Sequence, residues 1–255
     1  MVDYLDHVSA DGDQLLVAAR AAGLDAPVPS CPGWVVRDLL GHVWEVHAHK
    51  ELIVRSRLQE PPGEQREPPA DGELFVRYAA GLESLVTTLG AADPAVPVWT
   101  WSAPHQNVAF WRRRMAHETL IHRVDAELAA GWRSDVDDAL AVDGIDEILV
   151  DMIAAAPPWA VVDTGERTVR VSAGDRSWTL QEAVLSGTSP LSGTTYERLP
   201  IAALGDGGEI STEVRGGGAD LDLWLWGRGP LDAITVEGDP DGAAWLRELA
   251  AEDTQ

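Results

Sequence analysis

The strongest candidate for a chemical site is a segment near the middle of the chain that carries two histidines and a glutamate. His117, Glu118 and His122 lie within six residues of one another in a predicted helix. The zinc-protease motif needs two histidines four residues apart, and these two are five apart, so that motif is excluded. Glu118 and His122 are four apart, which places them on one helical face, about 40° from each other. A carboxylate and an imidazole on one face form half of a site for a divalent metal.

A third ligand must come from a neighbouring helix, and His42 is the candidate. It lies on an otherwise apolar helix face, where a histidine is unexpected unless it has a partner. His42, Glu45 and His49 form a rival set on one helix, but three ligands on a single helix seldom converge on one ion. Zinc is the first choice of metal, since two imidazoles and a carboxylate with open positions match its catalytic sites. Nickel, iron and manganese accept similar ligands. The alternative is that each histidine is an ordinary surface or core residue.

Several other side chains in this half have open roles. Asp125, three residues after the second histidine, either holds a ligand imidazole or is a solvated acid. In so acidic a chain an anionic ligand needs local positive charge, which Arg113 or Arg114 could supply; a solvated face is the alternative for these arginines. His117 points away from the Glu118 face and is interpreted as a packing residue. Cys31 stands alone before a proline in a predicted loop, which favours a structural role over a nucleophilic one.

The elements that must position these residues are helices, because apolar residues recur at steps of three and four. A proline-rich connection at 59–69, which no helix can cross, separates two of them. Together they predict a helical bundle. The predicted spans are 3–22, 34–57, 71–90, 107–131 and 136–155.

After residue 156 the pattern changes to short alternating runs. Residues 168–171 and 177–180 are predicted strands, separated by a Gly-Asp turn. Asp239 and Pro240 are typical of a helix start. Residues 220–226 fit either a strand or a helix, and periodicity alone does not decide between them. We therefore predict two domains, a helical bundle at 1–156 and a smaller α+β domain at 157–255.

Composition limits the class of protein. The chain of 255 residues has a net charge of -23, which disfavours binding to nucleic acid or to anionic lipid. Residues 134–255 hold 24 of the 42 acidic residues but only seven of the 19 basic ones, a shift that favours two domains. No apolar run is long enough to span a bilayer, and no secretory signal is visible at the start. A single cysteine suits a reducing compartment, so a cytoplasmic protein is expected.

Five motifs together resemble the mycothiol-dependent maleylpyruvate isomerase family of actinobacteria. The resemblance implies a DinB-like helical bundle that carries a metal, followed by a sterol-carrier-like α+β domain. It also implies a helix at 219–226. One departure is Val35, where a hydroxyl residue that caps the helix is expected. The motifs are Pro32-Gly33-Trp34, ValArgAspLeuLeuGlyHis (36–42), AlaHisGluThrLeuIleHisArgValAspAla (116–126), LeuTrpGlyArg (225–228) and GluGlyAspPro (237–240).

The resemblance also implies roles for individual residues. His42, Glu118 and His122 become metal ligands, the same trio that helical geometry selects. Arg228 lies near the thiol cofactor and the active site in this interpretation. Independently of the resemblance, the positive charge of Arg114 makes it a further candidate for binding the cofactor. The implied function is a metal- and mycothiol-dependent isomerase or S-transferase acting on a small anionic electrophile. The alternative from another class is a non-catalytic protein that binds a metal or a ligand.

Overall fold

The structure, a computed structural model, describes residues 2–63, 67–190, 192–205 and 208–253. Contacts between Cα atoms divide the chain into two compact units, Met1–Asp135 and Val136–Gln255. The first unit is helical and the second combines helices with a sheet. The predicted order of a helical bundle followed by an α+β part is therefore confirmed.

The first unit has four long helices in its described residues. They pack around a core in which Leu15, Leu39, Leu85 and Trp111 are fully buried. The predicted proline-rich connection separates the second and third helices, although its residues 64–66 lie outside the described ranges. No helix in the described parts of the chain is long and apolar enough to cross a membrane. The helices are α1 (Tyr4–Ala22), α2 (Val36–Ser56), α3 (Asp71–Ala91) and α4 (Val108–Ala129).

Side chains at the helix starts fix where α2 and α4 begin. Asn107 accepts a hydrogen bond from the backbone N–H of Phe110 at 3.1 Å and so caps α4. Val35 offers no acceptor at the start of α2, as its apolar side chain predicts. The carboxylate of Asp38 accepts a bond from the Val35 N–H at 2.9 Å instead. The start of α2 thus keeps one half of a capping box.

The second unit is a five-stranded mixed sheet with helices. The strands follow the order β3-β2-β1-β4-β5, in which only β1 and β4 pair in parallel. The predicted Gly-Asp turn joins β1 to β2, with Gly174 at φ 59°. The elements are α5 (Asp138–Asp146), which continues as a π-helical turn (Glu147–Met152), β1 (Val161–Ala173), β2 (Arg176–Thr188), β3 (Thr195–Leu204), β4 (Thr212–Gly216), α6 (Gly218–Leu225), a 3-10 turn (Leu231–Ala233), β5 (Thr235–Gly238) and α7 (Pro240–Asp253).

The segment 136–156, which the sequence pattern assigns to the bundle, lies in the second unit. Its contacts give the reason. Asp138 accepts a hydrogen bond from the N–H of Gly218 at the start of α6. Asp146 accepts one from the indole N–H of Trp178 on β2 at 2.9 Å. Helical periodicity indicates that α5 has an apolar face, but it does not indicate whether this face packs in the core of the first unit or of the second.

The ambiguous segment 220–226 is largely helical, as the family resemblance implies. Leu221, Trp224 and Leu225 are buried on α6 at a spacing of three and four residues. Gly227 ends the helix with φ 77°, a left-handed conformation that glycine adopts without strain. The backbone N–H of Arg228 then donates to the carbonyl of Leu223 at 2.7 Å, which fixes the base of the Arg228 side chain.

A buried histidine in the bundle core makes folding sensitive to acid. His47 is fully buried, and its Nε2 lies 3.1 Å from Thr119 Oγ1. Burial lowers the pKa of His47 to about 4, so between pH 6.5 and 4 the unfolded chain binds a proton that the folded chain does not. Stability contributed by neutral His47 is present above pH 6.5 and lost as the pH falls toward 4, by up to about 3 kcal/mol.

We therefore expect the free energy of unfolding to fall less steeply across that pH range in His47→Gln than in the wild type. Urea unfolding in the presence of a chelator measures this difference without a contribution from metal release. His105→Gln, at an exposed histidine, is the matched control and should keep the wild-type slope. Identical slopes for His47→Gln and the wild type would contradict the prediction.

Candidate metal centre

Two helices of the bundle bring the three predicted ligands together. Glu118 and His122 lie one turn apart on α4, and His42 faces them from α2. One ligand atom from each lies within 4.8 Å of the others. Within the described ranges, no other set of three histidine, cysteine or acidic side chains is as close as this. The rival set with Glu45 and His49 does not form such a cluster.

The separations within the cluster suit ligands of a shared ion. Glu118 Oε1 lies 3.4 Å from His42 Nε2 and 3.3 Å from His122 Nε2. Both distances exceed the length of a typical N–H···O hydrogen bond, about 2.9 Å. Two ligands of a tetrahedral zinc with bonds of 2.0–2.1 Å lie about 3.4 Å apart. These two separations therefore match those of neighbouring ligands on a zinc-sized cation, and the third, between the two imidazoles, is at most 4.8 Å.

Neighbouring charges keep the glutamate ionised. Burial raises the pKa of Glu118, but the Arg114 guanidinium and the two imidazoles outweigh it and hold that pKa well below its usual range. Arg114 forms an i,i+4 ion pair with Glu118, and its side chain is only 9% exposed. An ionised carboxylate is the form that binds a metal. Arg114, predicted as a source of positive charge for the cofactor, thus contacts the ligand carboxylate.

Asp125 orients the second imidazole. Its carboxylate lies 2.9 Å from His122 Nδ1, which leaves Nε2 on the side of the metal cluster. Burial opposes protonation of His122, but Asp125 and Glu118 raise its pKa to about 9. A divalent cation bound there would take the place of that proton. A carboxylate on the far nitrogen of a ligating histidine is a common feature of zinc sites.

The Asp125 carboxylate has partners from the loop before α2. Ser30 Oγ donates to its Oδ1 at 2.5 Å, and Cys31 Sγ lies 3.6 Å from its Oδ2. The Asp125 side chain has no exposed surface. The alternative of a solvated acid is therefore wrong, and Cys31 contacts a supporting residue of the cluster.

Other sequence-predicted residues lie outside the cluster. His117 is buried on a different face of α4, with its ring 6.3 Å from that of Tyr4 on α1. Arg228 lies in the second unit, half-buried, where its Nη1 donates to the carbonyl of Trp226. Arg112, which precedes Arg113 in the sequence, donates to the carbonyls of Leu89 and Ala92 at the end of α3, so its guanidinium is not simply solvated.

Sequence reasoning missed Lys50, the only lysine of the chain. Its ammonium lies 3.0 Å from His49 Nδ1 and 5.1 Å from the centre of the Trp111 ring. Burial lowers the pKa of Lys50, and the charges of Glu118 and Glu45 oppose that shift. Lys50 is therefore a second cation near the ligand carboxylate. The only feature of the sequence that could have drawn attention to Lys50 is that the chain contains no other lysine.

Neutralising Asp125 should weaken metal binding without removing a ligand. In Asp125→Asn the amide no longer stabilises the developing charge on the His122 ring, and we expect zinc affinity to fall about tenfold or more. Competition with a chromogenic chelator measures the affinity. Glu127→Gln is the matched control, since Glu127 is also a buried acid of α4 but lies outside the cluster. Equal zinc affinities for Asp125→Asn and Glu127→Gln would contradict a role for Asp125.

Two domain models of one family match the sequence. Residues 5–127 match the mycothiol maleylpyruvate isomerase N-terminal domain, and residues 139–245 match the MDMPI C-terminal domain. The two matched spans fall on either side of the boundary between the compact units. No curated protein matches the chain.

Two solved structures have a similar fold. They are the crystal structure of the mycothiol-dependent maleylpyruvate isomerase and that of a histidine-to-alanine mutant of it. Their TM-scores are 0.58 and 0.59, and each alignment covers 92% of this chain and 92% of the other. Sequence identity is 13% in both cases, so this likeness shows the fold alone.

Proposed function

The chain belongs to the mycothiol maleylpyruvate isomerase family, a family of enzymes, and from that premise we propose that it is a metal- and thiol-dependent isomerase or S-transferase. The metal is held by His42, Glu118 and His122, and the thiol is mycothiol. The observation that carries this proposal is the convergence of the three ligand atoms within 4.8 Å. Zinc is the first candidate for the ion.

Each residue of the cluster has a defined task in this proposal. Glu118 stays ionised because Arg114 pairs with it, and His122 is oriented by Asp125. A divalent cation held there supplies charge that lowers the pKa of a bound thiol, so that the thiolate is present near neutral pH. Arg114 and Lys50 add positive charge beside Glu118 that would favour an anionic substrate.

The reaction needs no oxidant or reductant. The thiolate adds to one carbon of a conjugated double bond, and the π electrons move onto the carbonyl oxygen. The carbon–carbon bond is then single and can rotate. When the electron pair returns, the carbon–sulfur bond breaks and the thiol is released unchanged. An S-transferase would stop after the addition and a protonation.

We propose that the second unit contributes Arg228. Its planar guanidinium suits a carboxylate on the substrate or on the thiol, which it can bind through two parallel hydrogen bonds. The backbone of α6 fixes the base of this side chain, since the Arg228 N–H donates to Leu223. A rigid base reduces the entropy lost when the guanidinium orders on a ligand.

The proposal is tested by thermal melting of the full chain with zinc, with mycothiol and with both. A ligand that binds only the folded state raises the melting temperature. We expect zinc alone to raise it, and mycothiol to raise it further only when zinc is present. Thiol-dependent isomerisation of maleylpyruvate is then the first activity to assay. A zinc effect with no thiol effect would favour a non-catalytic metal-binding protein instead.

A further inference from the structure

The second unit contains an open, mostly apolar cavity of about 430 Å³. It lies between the end of α6, the loop that follows it, β5 and the first turns of α7. A volume of this size is in the range that holds small organic ligands. Its wall combines an indole, aliphatic side chains and one cation, and it includes Trp224, Leu231, Val236, Pro240, Ala243 and Arg247.

Arg247 is the cation of this cavity, and among the described residues no carboxylate acts on its guanidinium. It makes no hydrogen bond or ion pair with any other described residue. Burial, followed by the charge of Arg228, lowers the pKa of Arg247, and no carboxylate opposes this. Removing a guanidinium partly from water without a counter-charge costs folding free energy. An anionic ligand that supplied the counter-charge would offset this cost.

The backbone makes room for this guanidinium. A Cβ atom built on Gly227 would collide with Nη2 of Arg247. Gly227 also has φ 77°, so its conformation and its lack of a side chain both favour glycine there. The Arg247 head group therefore rests against bare backbone at the edge of the cavity.

Arg247 and Arg228 are neighbouring cations in a part of the chain that is strongly acidic. Residues 134–255 hold 24 acidic residues against seven basic ones, yet the charge that acts on Arg247 is another arginine, Arg228. Arg228 therefore adds positive charge beside the Arg247 guanidinium. This positive charge attracts an anionic group. The apolar wall beside it favours a ligand that also has an apolar part.

We propose that this cavity binds a small amphiphilic carboxylate, with the carboxylate on Arg247 and an apolar body against Trp224, Leu231 and Val236. Arg228 adds charge but is not the main contact. The guanidinium fork matches a carboxylate bidentately. This inference shares Arg228 with the proposed thiol chemistry, but its main contact is Arg247 and none of its groups is a metal ligand.

The test is isothermal titration calorimetry of the full chain in the presence of a chelator, with decanoate as the probe. Decyltrimethylammonium has a similar apolar chain and the opposite charge. We expect decanoate to bind and decyltrimethylammonium to bind at least about tenfold more weakly. Equal binding of the two, or no binding of decanoate, would overturn the proposal. This comparison depends on no variant, and chelation separates its outcome from that of the metal centre.

Two variants then locate the site. Arg247→Gln should weaken decanoate binding about tenfold or more, while Arg215→Gln, at an exposed arginine of β4, should leave it unchanged. Ala244→Trp should block the cavity with Arg247 still present, since Ala244 lines the cavity and is exposed. Retained decanoate binding in both Arg247→Gln and Ala244→Trp would place the anion elsewhere and overturn the proposal.

Discussion

Glu118→Gln is expected to lower zinc affinity by about a hundredfold or more and to destabilise the metal-free protein. The substitution replaces an anionic ligand by a neutral amide, which is a poor zinc ligand. It also leaves the Arg114 guanidinium, whose side chain is 9% exposed, without the carboxylate that pairs with it. Removing one partner of a buried ion pair costs about 3 kcal/mol.

Two measurements separate these effects. Competition with a chelator gives the zinc affinity, and urea unfolding without metal gives the free energy of unfolding. Glu127→Gln neutralises another buried acid of the same helix, and it should leave zinc affinity at the wild-type value. Wild-type zinc affinity in Glu118→Gln would remove the carboxylate from the ligand set.

The second large effect is expected at Arg228. If its guanidinium holds a carboxylate of the substrate or the thiol, Arg228→Gln should lower kcat/KM about a hundredfold, because a charged bidentate contact is lost. Arg228→Lys keeps the charge without the planar fork, so its kcat/KM should lie between those of Arg228→Gln and the wild type. Zinc content should be unchanged in both variants.

Steady-state kinetics with mycothiol and metal analysis of the same preparations test this prediction. Arg215→Gln, an exposed arginine of the same unit, controls for the loss of one positive charge. Unchanged kcat/KM in Arg228→Gln would remove Arg228 from the reaction, whereas loss of zinc together with activity would indicate a structural role.

The metal cluster could be predicted from sequence because its information is local. The four-residue step from Glu118 to His122 fixes their common face, whatever the rest of the fold does. His42 was selected because a histidine on an apolar face needs a partner. The structure adds Asp125, for which the pattern allowed both a supporting role and a solvated one; only the packing of the loop at Ser30 shows that it is buried.

Features that depend on tertiary contacts could not be predicted in the same way. The segment 136–156 has the apolar period of a bundle helix, yet it packs in the second unit through Asp138 and Asp146. The segment 220–226 is too short for periodicity to distinguish a helix from a strand. The left-handed φ of Gly227, which shows that a helix ends there, is visible only in the structure. Lys50 gave no periodic signal, because its position depends on the Trp111 ring of another helix.

The proposed metal ion between α2 and α4 is tested most directly by the zinc content of the purified chain after loosely bound metal has been removed. The measurement compares the wild type with His42→Ala and with His49→Ala, which alters a histidine of the same helix outside the cluster. We expect one zinc ion per chain in the wild type and in His49→Ala, and almost none in His42→Ala. A wild type without bound metal, or equal zinc loss in the two variants, would contradict the account.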